Sequence, residues 1–468
     1  MRTIAAFAAL CLLAACTEVG PNYQAPDLTA AAPGNFLSAD PKIAANAPVP
    51  DGWWRLYDDP LLNQLELDAL KANLDLRVAA ANLARARAMQ KEVVGAQEIK
   101  AGADFGAERA QLSGQSYLLP VQLPSQYLGD GGIKVGYELD LFGRLKRAAE
   151  AASADREAAA AGVELAQIAV AAEVARAYGE ACAASHELET AERVRALQQR
   201  AHEVTQQLAS QGRDTAIEVT RAKAQLDQAE AALPQFRSRQ RLALFRLAIL
   251  IGKPPADYPK EAEACKLPPR LHRAIPVGDG AALLRRRPDV RQAERAIASA
   301  TARIGVATAA LYPDVQLGFT AGSTGLLTQL GEPSAEYWSL GTLISWRMPD
   351  SSAYARIEGA DANAQAALAR FQGVVLGALR ETESSLTVYA HDLERNQALR
   401  AARDHAAEIA DQTDRLYKAG RSPYLSGLNA QQGLAQAEQV LALSDDQISA
   451  DQVSLFLALG GGWPQTSP

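Results

Sequence analysis

The side chains able to do covalent or metal chemistry in this chain are four cysteines, Cys11, Cys16, Cys182 and Cys265, and five histidines, His186, His202, His272, His391 and His405. Cys16 directly follows Leu13, Ala14 and Ala15; small residues in front of a cysteine are what lipid-modifying enzymes need to acylate its thiol. The histidines fall at no metal-ligand spacing, so no metal site is expected. The sequence has no Gly-rich phosphate loop, no Gly-x-Ser-x-Gly elbow and no Cys–His cluster. The expectation is a chain with no catalytic residues and no cofactor, which is not an enzyme.

Arg2 precedes an apolar run, Ile4 to Ala15, too short to span a bilayer and ending in small residues, as a secretory signal does. Together with Cys16 it resembles the bacterial lipobox, in which cleavage before an acylated cysteine leaves the mature chain tethered by lipid. An ordinary signal with an incidental cysteine is the competing reading. Residues 1–15 are thus read as a lipoprotein signal peptide and Cys16 as the lipidation site, each buried acyl methylene adding about 0.8 kcal/mol of membrane affinity. Thr17 in place of Asp after the cysteine resembles the sorting pattern of outer-membrane lipoproteins. Cys11 leaves with the signal, so only Cys182 and Cys265 remain. They can pair in an oxidising periplasm, but the reading adopted is two buried, unpaired thiols.

These residues sit in a chain of 468 residues and 49.8 kDa, 48% hydrophobic and 22% charged, with only 6% aromatics. The excess of Ala, Gln, Arg and Glu argues for long helices and against disorder or an all-β sandwich. Net charge is 47 − 54 = −7, and −8 once Arg2 leaves with the signal; a nucleic-acid binder carries the opposite balance. After the signal no uninterrupted apolar stretch reaches 18 residues, Arg246 breaking the best candidate, so any membrane crossing is not expected to be helical. Residues 212–252 align on 420–460 at a constant offset of 208, with ten identities in 41, among them Gly212/Gly420, Arg213/Arg421 and Gly252/Gly460. Asp75-Leu76-Arg77 likewise falls on Asp289-Val290-Arg291, and Phe105 on Phe319. The chain is read as two copies of one unit.

Each copy predicts the same order of elements. A helix over Leu61 to Gln97, or Asp289 to Ala310 in the second copy, precedes two stretches that alternate with period two. Ile133, Val135, Tyr137, Leu139 and Leu141 interleave with Lys134, Gly136, Glu138 and Asp140. Val315, Leu317 and Phe319, then Trp338, Leu340, Ile344 and Trp346, repeat the pattern. Four strands, at 101–112, 132–142, 314–325 and 337–347, each with one apolar and one polar face, are the pattern of a transmembrane barrel wall. Proline-free helical runs follow at Arg144 to Leu208 and Ile357 to Lys418. They turn at Gly212-Arg213 and Gly420-Arg421 and return to Ile251 and Leu459, with Pro234 kinking or breaking the first return. At 1.5 Å per residue the first run would reach roughly 95 Å, a hairpin suited to a coiled-coil-like tube. The expected plan is a lipidated extended segment at 16–60, a first repeat at 61–252 with its hairpin at 144–251, and a linker at 253–285. A second repeat at 286–460, with its hairpin at 357–459, and a tail at 461–468 complete it.

Four strands cannot close a membrane barrel, whose smallest forms need about eight, and open edges in lipid are forbidden. Several copies must share one barrel, and three copies with twelve strands are the natural small number. The sequence resembles, along its full length, the outer-membrane factors of tripartite efflux systems, the TolC-like, NodT-type lipoproteins. The matching motifs are Val19-Gly20-Pro21-Asn22-Tyr23, Trp53-Trp54 with Asp59-Pro60-Leu61, Tyr137 through Arg144, Arg286-Arg287-Pro288-Asp289, and Leu459-Gly460-Gly461-Gly462-Trp463. The resemblance implies a mainly α fold with a transmembrane β-barrel portion, internally duplicated, in a homotrimer whose long hairpins form an α-barrel. It places the protein in the outer membrane, lipid-anchored and extending into the periplasm. It also implies a passive exit duct for drugs or other small molecules, with a periplasmic adaptor and an inner-membrane resistance-nodulation-division pump as partners. Outer-membrane lipid would surround the barrel, and no nucleic acid is involved. A type I secretion duct shares the fold. A structural periplasmic coiled-coil lipoprotein is the other alternative, and the four barrel-patterned strands count against it.

By the same resemblance the adaptor docks at the hairpin tips, around Gly212, Arg213, Gly420 and Arg421, and the closed periplasmic entrance lies just past the second tip. There Leu425 matches a Leu ring, and Asn429, with Ser426 one turn before it, stands where the family has Asp. Asp214 or Glu218 of the first tip would supply the missing charge. Each motif also has a plain structural reading. Arg213 and Arg421 would interact with helix C-terminal carbonyls, and Trp53-Trp54 would be packing. Asp140 and Gly143 would turn a strand into a helix, and Arg287-Pro288-Asp289 would start one. Met348-Pro349-Asp350-Ser351-Ser352 replaces the family's Gly-Gly pair after the fourth strand, so a different corner is expected there.

Overall fold

The computed structural model describes residues 18–28, 32, 34–271 and 273–461, so the signal peptide, Cys16, His272 and Gly462-Trp463 lie outside the described residues. The helices are α1 (Pro60–Ala72), α2 (Leu74–Gly95), α3 (Arg144–Ser210), α4 (Ala216–Leu250), α5 (Lys260–Glu263), α6 (Gly280–Arg286), α7 (Pro288–Ala309), α8 (Ser351–Lys418) and α9 (Tyr424–Ala458). The strands are β1 (Ala44–Ala45), β2 (Lys100–Ala110), β3 (Gln126–Leu139), β4 (Ile275–Pro276), β5 (Asp314–Leu326) and β6 (Glu336–Ser345). Contacts divide the chain into two compact units.

The first unit holds residues 18–26, Leu83–Ala159 and Gln292–Phe371. Its centre is one antiparallel sheet in the order β2-β3-β5-β6. A level row across it runs Ala101, Val135, Phe319, Leu340. Directly paired residues share a face. Phe105, Ile133, Val135, Tyr137, Leu317, Phe319, Trp338 and Leu340 therefore make one face apolar. Asp104, Asp130, Lys134, Thr320 and Ser339 make the other polar, with Lys134 and Asp104 paired at 3.0 Å. β3 begins at Gln126, ahead of the expected 132, because its pairing with β2 carries the ladder through the glycine-rich stretch to Ala110↔Gln126.

Where β3 meets α3, Asp140 accepts from Leu145 N (3.1 Å) and Lys146 N (2.7 Å). Gly143 takes φ +78°, the left-handed region open to glycine. α8 starts at Ser351, six residues ahead of the expected 357, because Asp350 caps it. Its Oδ1 accepts from Ala353 N (3.0 Å) and from the Ser352 hydroxyl (2.6 Å).

The second unit holds Asp27–Asn82, Ala160–Arg291 and residues 372–461. Asp59 opens α1 by accepting from Leu61 N (2.8 Å) and Leu62 N (3.0 Å), two of the donors that a helix start leaves unpaired. The helix expected to continue to Gln97 stops at Asn73 instead. Asn73 is extended (ψ 134°), its Oδ1 accepts from Asp75 N (2.9 Å) to cap α2, and its Nδ2 donates to Leu250 O (3.0 Å). α4 runs unbroken through Pro234, so no break occurs there. The core gathers Trp53, Leu62, Tyr178, Leu247, Ile275, Leu283, Leu386, Ile448 and Phe456. Trp53 stacks on Phe456 at 4.6 Å, so Trp53 is packing. α3 contains an 18-residue window with mean hydropathy 1.5, long and apolar enough to cross a membrane. Its Ala171, Val174, Ala177 and Tyr178 are buried in this core, so that hydropathy reflects protein packing.

One expectation is overturned outright. Cys182 and Cys265 form a disulfide, with Cα atoms 4.8 Å apart at a sequence separation of 83. It ties α3 to the segment after α5. The two residues meet only through tertiary packing, which their spacing does not encode.

Candidate functional site

The two hairpin tips share one backbone design. At the first, Arg213 N donates to Leu208 O (2.9 Å) and Gly212 N to Ala209 O (3.0 Å); at the second, Arg421 N donates to Leu416 O (2.8 Å) and Gly420 N to Tyr417 O (2.8 Å). Each is a Schellman closure, with Gly212 at φ +70° and Gly420 at φ +69°. The helix C-terminal carbonyls are thus met by backbone N–H groups. Both arginine side chains are exposed, with no ion-pair or hydrogen-bond partner among the described residues.

Past the first tip, Asp214 accepts from Thr215 N (2.8 Å), and Thr215 Oγ1 accepts from Glu218 N (3.3 Å) to cap α4. Glu218 pairs with Arg221 at 2.5 Å, so its charge is compensated within its own turn. Past the second tip, Leu425 and Ser426 are half-buried, Leu428 is buried and Asn429 is exposed. Leu425 and Asn429 lie four residues apart and share a helix face. Tyr417 and Tyr424 bracket this turn with ring centroids 5.2 Å apart. No hydrogen bond among the described residues joins Asp214 or Glu218 to Asn429. Leu428 is the tip residue that sequence reading passed over; its signal was the apolar spacing Leu425, Leu428.

Higher on the same hairpins, α9 carries a belt of charge. Arg239 donates to Glu187 (2.6 Å) and Asp446 (3.4 Å), while Arg270 (2.5 Å) and Arg400 (2.6 Å) both bind Asp445. Burial pushes the Asp446 carboxyl up to about 6, against the pull of Arg239. Burial also raises Asp451 to about 6, with Asp392 beside it adding to the shift.

Two of the motifs interlock at the end of α9. Gly460 N donates to Leu457 O (3.0 Å) and Gly461 N to Phe456 O (3.0 Å), a third Schellman closure. The remaining carbonyls are taken by arginines: Arg286 Nη2 donates to Leu459 O (2.6 Å) and Arg287 Nη1 to Ala458 O (2.7 Å). A Cβ on Gly460 would come 2.9 Å from Arg287 Cγ, so glycine is required for the approach. Arg287 also forks onto Asp289 (3.0 and 2.7 Å) and reaches Glu381 (2.9 Å). Burial opposes its charge, but these carboxylates outweigh burial and hold its pKa above the usual guanidinium value. Among the described residues Arg286 meets a single carbonyl, Leu459 O, and no carboxylate, and burial lowers its pKa.

In the first unit, residues 18–23 are strapped down. Val19 N donates to Phe142 O (3.2 Å), Arg147 donates to Val19 O (3.3 Å) and Asn22 Oδ1 (2.6 Å), and the Tyr23 hydroxyl donates to Glu294 (2.7 Å). A Cβ on Gly20 would lie 2.5 Å from Gly305 Cα. The segment that follows Cys16 in sequence is therefore held against the strand-to-helix corner of β3.

Among the described residues no group of His, Cys, Asp and Glu is arranged to hold a metal. The family profile described as "Outer membrane efflux protein" matches residues 65–253 and 281–461. The chain is 28% identical to Nodulation protein T of Rhizobium leguminosarum bv. trifolii over 460 residues, covering 97% of this chain and 96% of that one. It is 30% identical to the probable efflux pump outer membrane protein SepC of Pseudomonas putida over 473 residues, covering 97% and 96%. The solved structure of the outer-membrane channel OprN matches with a TM-score of 0.87 at 34% identity, covering 95% of this chain and 99% of that one. The CmeC channel of Campylobacter jejuni shares the fold, with a TM-score of 0.83 at 19% identity, covering 96% of each chain.

Proposed function

The chain belongs to the outer membrane efflux protein family, and on that premise we propose that three copies close a twelve-stranded barrel and carry solutes passively out through it. It is the outer-membrane channel of an efflux pump and resides in the cell outer membrane. The observation that carries the trimer is the sheet: four strands, one apolar exposed face, and β2 and β6 as unpaired edges. Lipid tolerates no open edge, and three such sheets supply twelve strands, an even number within the range of membrane barrels. α2 adds to this, since none of its residues is buried within one chain although it carries Leu74, Val78, Met89 and Val94. Internal duplication, supported by the sequence alignment of the tips and their matching Schellman closures, gives the two hairpins of each copy equivalent roles.

The tips face the periplasm in this reading. Arg213 and Arg421, exposed and uncommitted, donate to an adaptor protein that connects the duct to an inner-membrane resistance-nodulation-division pump, which supplies the energy. Leu425 and Asn429 line the closed entrance, and acyl chains on Cys16 anchor the N-terminus in the membrane. Native mass spectrometry of detergent-extracted protein tests the assembly, with trimer expected and monomer alone overturning it. Reversing both Arg213 and Arg421 to Glu should abolish drug resistance at unchanged trimer yield; unchanged resistance rejects the docking role. Palmitate labelling of wild type and Cys16→Ser tests the anchor, and an unlabelled wild type refutes it.

A further inference from the structure

Charged residues are rare on the apolar face of the sheet. Within the four strands that face carries only Arg109 and Glu336. Both stand at the end of the sheet where the β2–β3 and β5–β6 turns lie, and each is on an edge strand, Arg109 on β2 and Glu336 on β6. Neither has an oppositely charged partner among the described residues. Arg109 reaches only the Tyr127 ring (5.5 Å) and the Ser125 hydroxyl (3.5 Å).

We propose that β6 of one copy pairs antiparallel with β2 of the next in the register that sets Glu336 opposite Arg109 and Ser345 opposite Lys100. The inference rests on the trimeric barrel above and fixes how its three seams are joined. Three observations select this register. The first is strand length: it aligns the whole of β6, Glu336–Ser345, with Lys100–Arg109 of β2.

The second is barrel geometry. Within one copy the level row that starts at Ala101 ends at Leu340. In the proposed seam Leu340 meets Phe105 of the neighbour, a stagger of four residues per copy. Over three copies the stagger is about twelve residues on twelve strands, which at ~3.3 Å per residue and ~4.8 Å per strand gives a tilt of about 35°. That stands at the lower end of the roughly 35–45° range of membrane barrels. Sliding by two residues one way drops the tilt to about 19°, far outside the range, and the other way raises it to about 46°, at the upper end, so tilt excludes the shallower register and side-chain fit decides against the steeper one.

The third is side-chain fit. On the apolar face the register sets Trp338 against Ala107 and Ile344 against Ala101, and on the polar face Leu343 against Gly102, large against small each time. The steeper alternative would set Leu343 against Asp104 and Trp338 against Arg109, leaving Glu336 opposite Gln111. The partner surface is thus a second copy of this chain, and the register also sets the opposite charges of Arg109 and Glu336 directly across the seam, a favourable cross-strand pairing.

Cysteine pairs read the register directly. Ala103→Cys with Thr342→Cys is the matched pair; Phe105→Cys or Ala101→Cys with Thr342→Cys are the shifted ones. The native Cys182 and Cys265 are already paired and do not compete. After mild oxidation in membranes, the matched pair should give cross-linked dimer and trimer as the dominant product on non-reducing gels. Dominant cross-linking by a shifted pair overturns the register and leaves the trimeric barrel standing. No oligomeric band from any pair overturns the seam, and native mass spectrometry of the same samples shows whether the trimer falls with it. Independently, Arg109→Glu or Glu336→Arg alone should lower the temperature at which the trimer dissociates, and the double swap should restore it. If the swap leaves the loss in place, the two residues are not partners.

Discussion

Replacing Arg287 by Met should destabilise the second unit by about 3 kcal/mol, and the structure supplies the reasons. Arg287 is 8% exposed, and its guanidinium makes a charge-assisted bond to Ala458 O at 2.7 Å and a fork onto Asp289. A hydrogen bond to a charged group contributes about 1.5–3 kcal/mol, and breaking a buried ion pair costs roughly 3–5 kcal/mol. Two features pull the figure to the low end. Glu381 is 47% exposed and is rehydrated by water, and Thr382 Oγ1 also donates to Ala458 O (3.3 Å), so that carbonyl keeps one partner. Arg287→Lys keeps the charge but not the fork and should lose about half as much. Unfolding of a large membrane protein is read as a rate, and ~3 kcal/mol corresponds to unfolding faster by up to roughly 10²-fold at fixed temperature. The assay is far-ultraviolet circular dichroism of purified protein after a temperature jump. Glu381→Gln is the control, expected to change the rate only a few-fold. If Arg287→Met unfolds no faster than that control, the arginine does not hold the end of α9.

The disulfide should matter on a similar scale: closing a loop across 83 residues restricts the unfolded chain by about 4.5 kcal/mol in the loop-entropy account. Cys182→Ser should therefore lower the melting temperature, and denatured wild type should take up no alkylating agent at Cys182 or Cys265 until it is reduced. Asp446 gives a pH dependence whose sign is fixed by its raised pKa of about 6. The native state holds that proton more tightly than the unfolded chain, so stability is greatest below the ordinary carboxylate range and declines as pH rises through 6, by at most about 3 kcal/mol. Asp446→Asn should reduce the fall in melting temperature between pH 5 and pH 8, with Asp451, also raised to about 6, supplying the remainder, and an unchanged slope refutes the assignment. At the entrance, Asn429→Asp should raise cation selectivity and divalent blockade from the periplasmic side in planar bilayers; if neither changes, Asn429 does not line the constriction.

Periodicity makes the elements legible, and pairing decides where they end. The alternation Ile133, Val135, Tyr137, Leu139 marks a strand, but β3 begins at Gln126 because β2 runs beside it, and the glycines that blur the pattern there are ladder positions like any other. Asn73 is similar: a helix-period pattern runs through it, yet its side chain caps α2 and its amide is claimed by Leu250 O, a partner 177 residues away. Cys182 and Cys265 are the extreme case, since nothing local to either residue refers to the other. The arginine motif was legible as a helix start, while its grip on Leu459 and Ala458 required the fold.

Residues whose partners lie on another copy give the opposite kind of signal. Burial and hydrogen bonding within one chain account for Arg287, Asn73 and Trp53, each of which is enclosed and partnered there. Arg109 and Glu336 are exposed, oppositely charged, at the same end of the same apolar face, and on the two edges that must meet if the sheet is to be closed by copies of itself. At the rim of a barrel wall an unpaired charge costs only about 0–1 kcal/mol, while opposite charges set directly across a strand pair contribute roughly 0.2–1 kcal/mol. A threefold arrangement makes that contact three times with one pair of residues. The arrangement of charge on the edge strands is therefore explained by assembly, as the arrangement of charge around α9 is explained by folding.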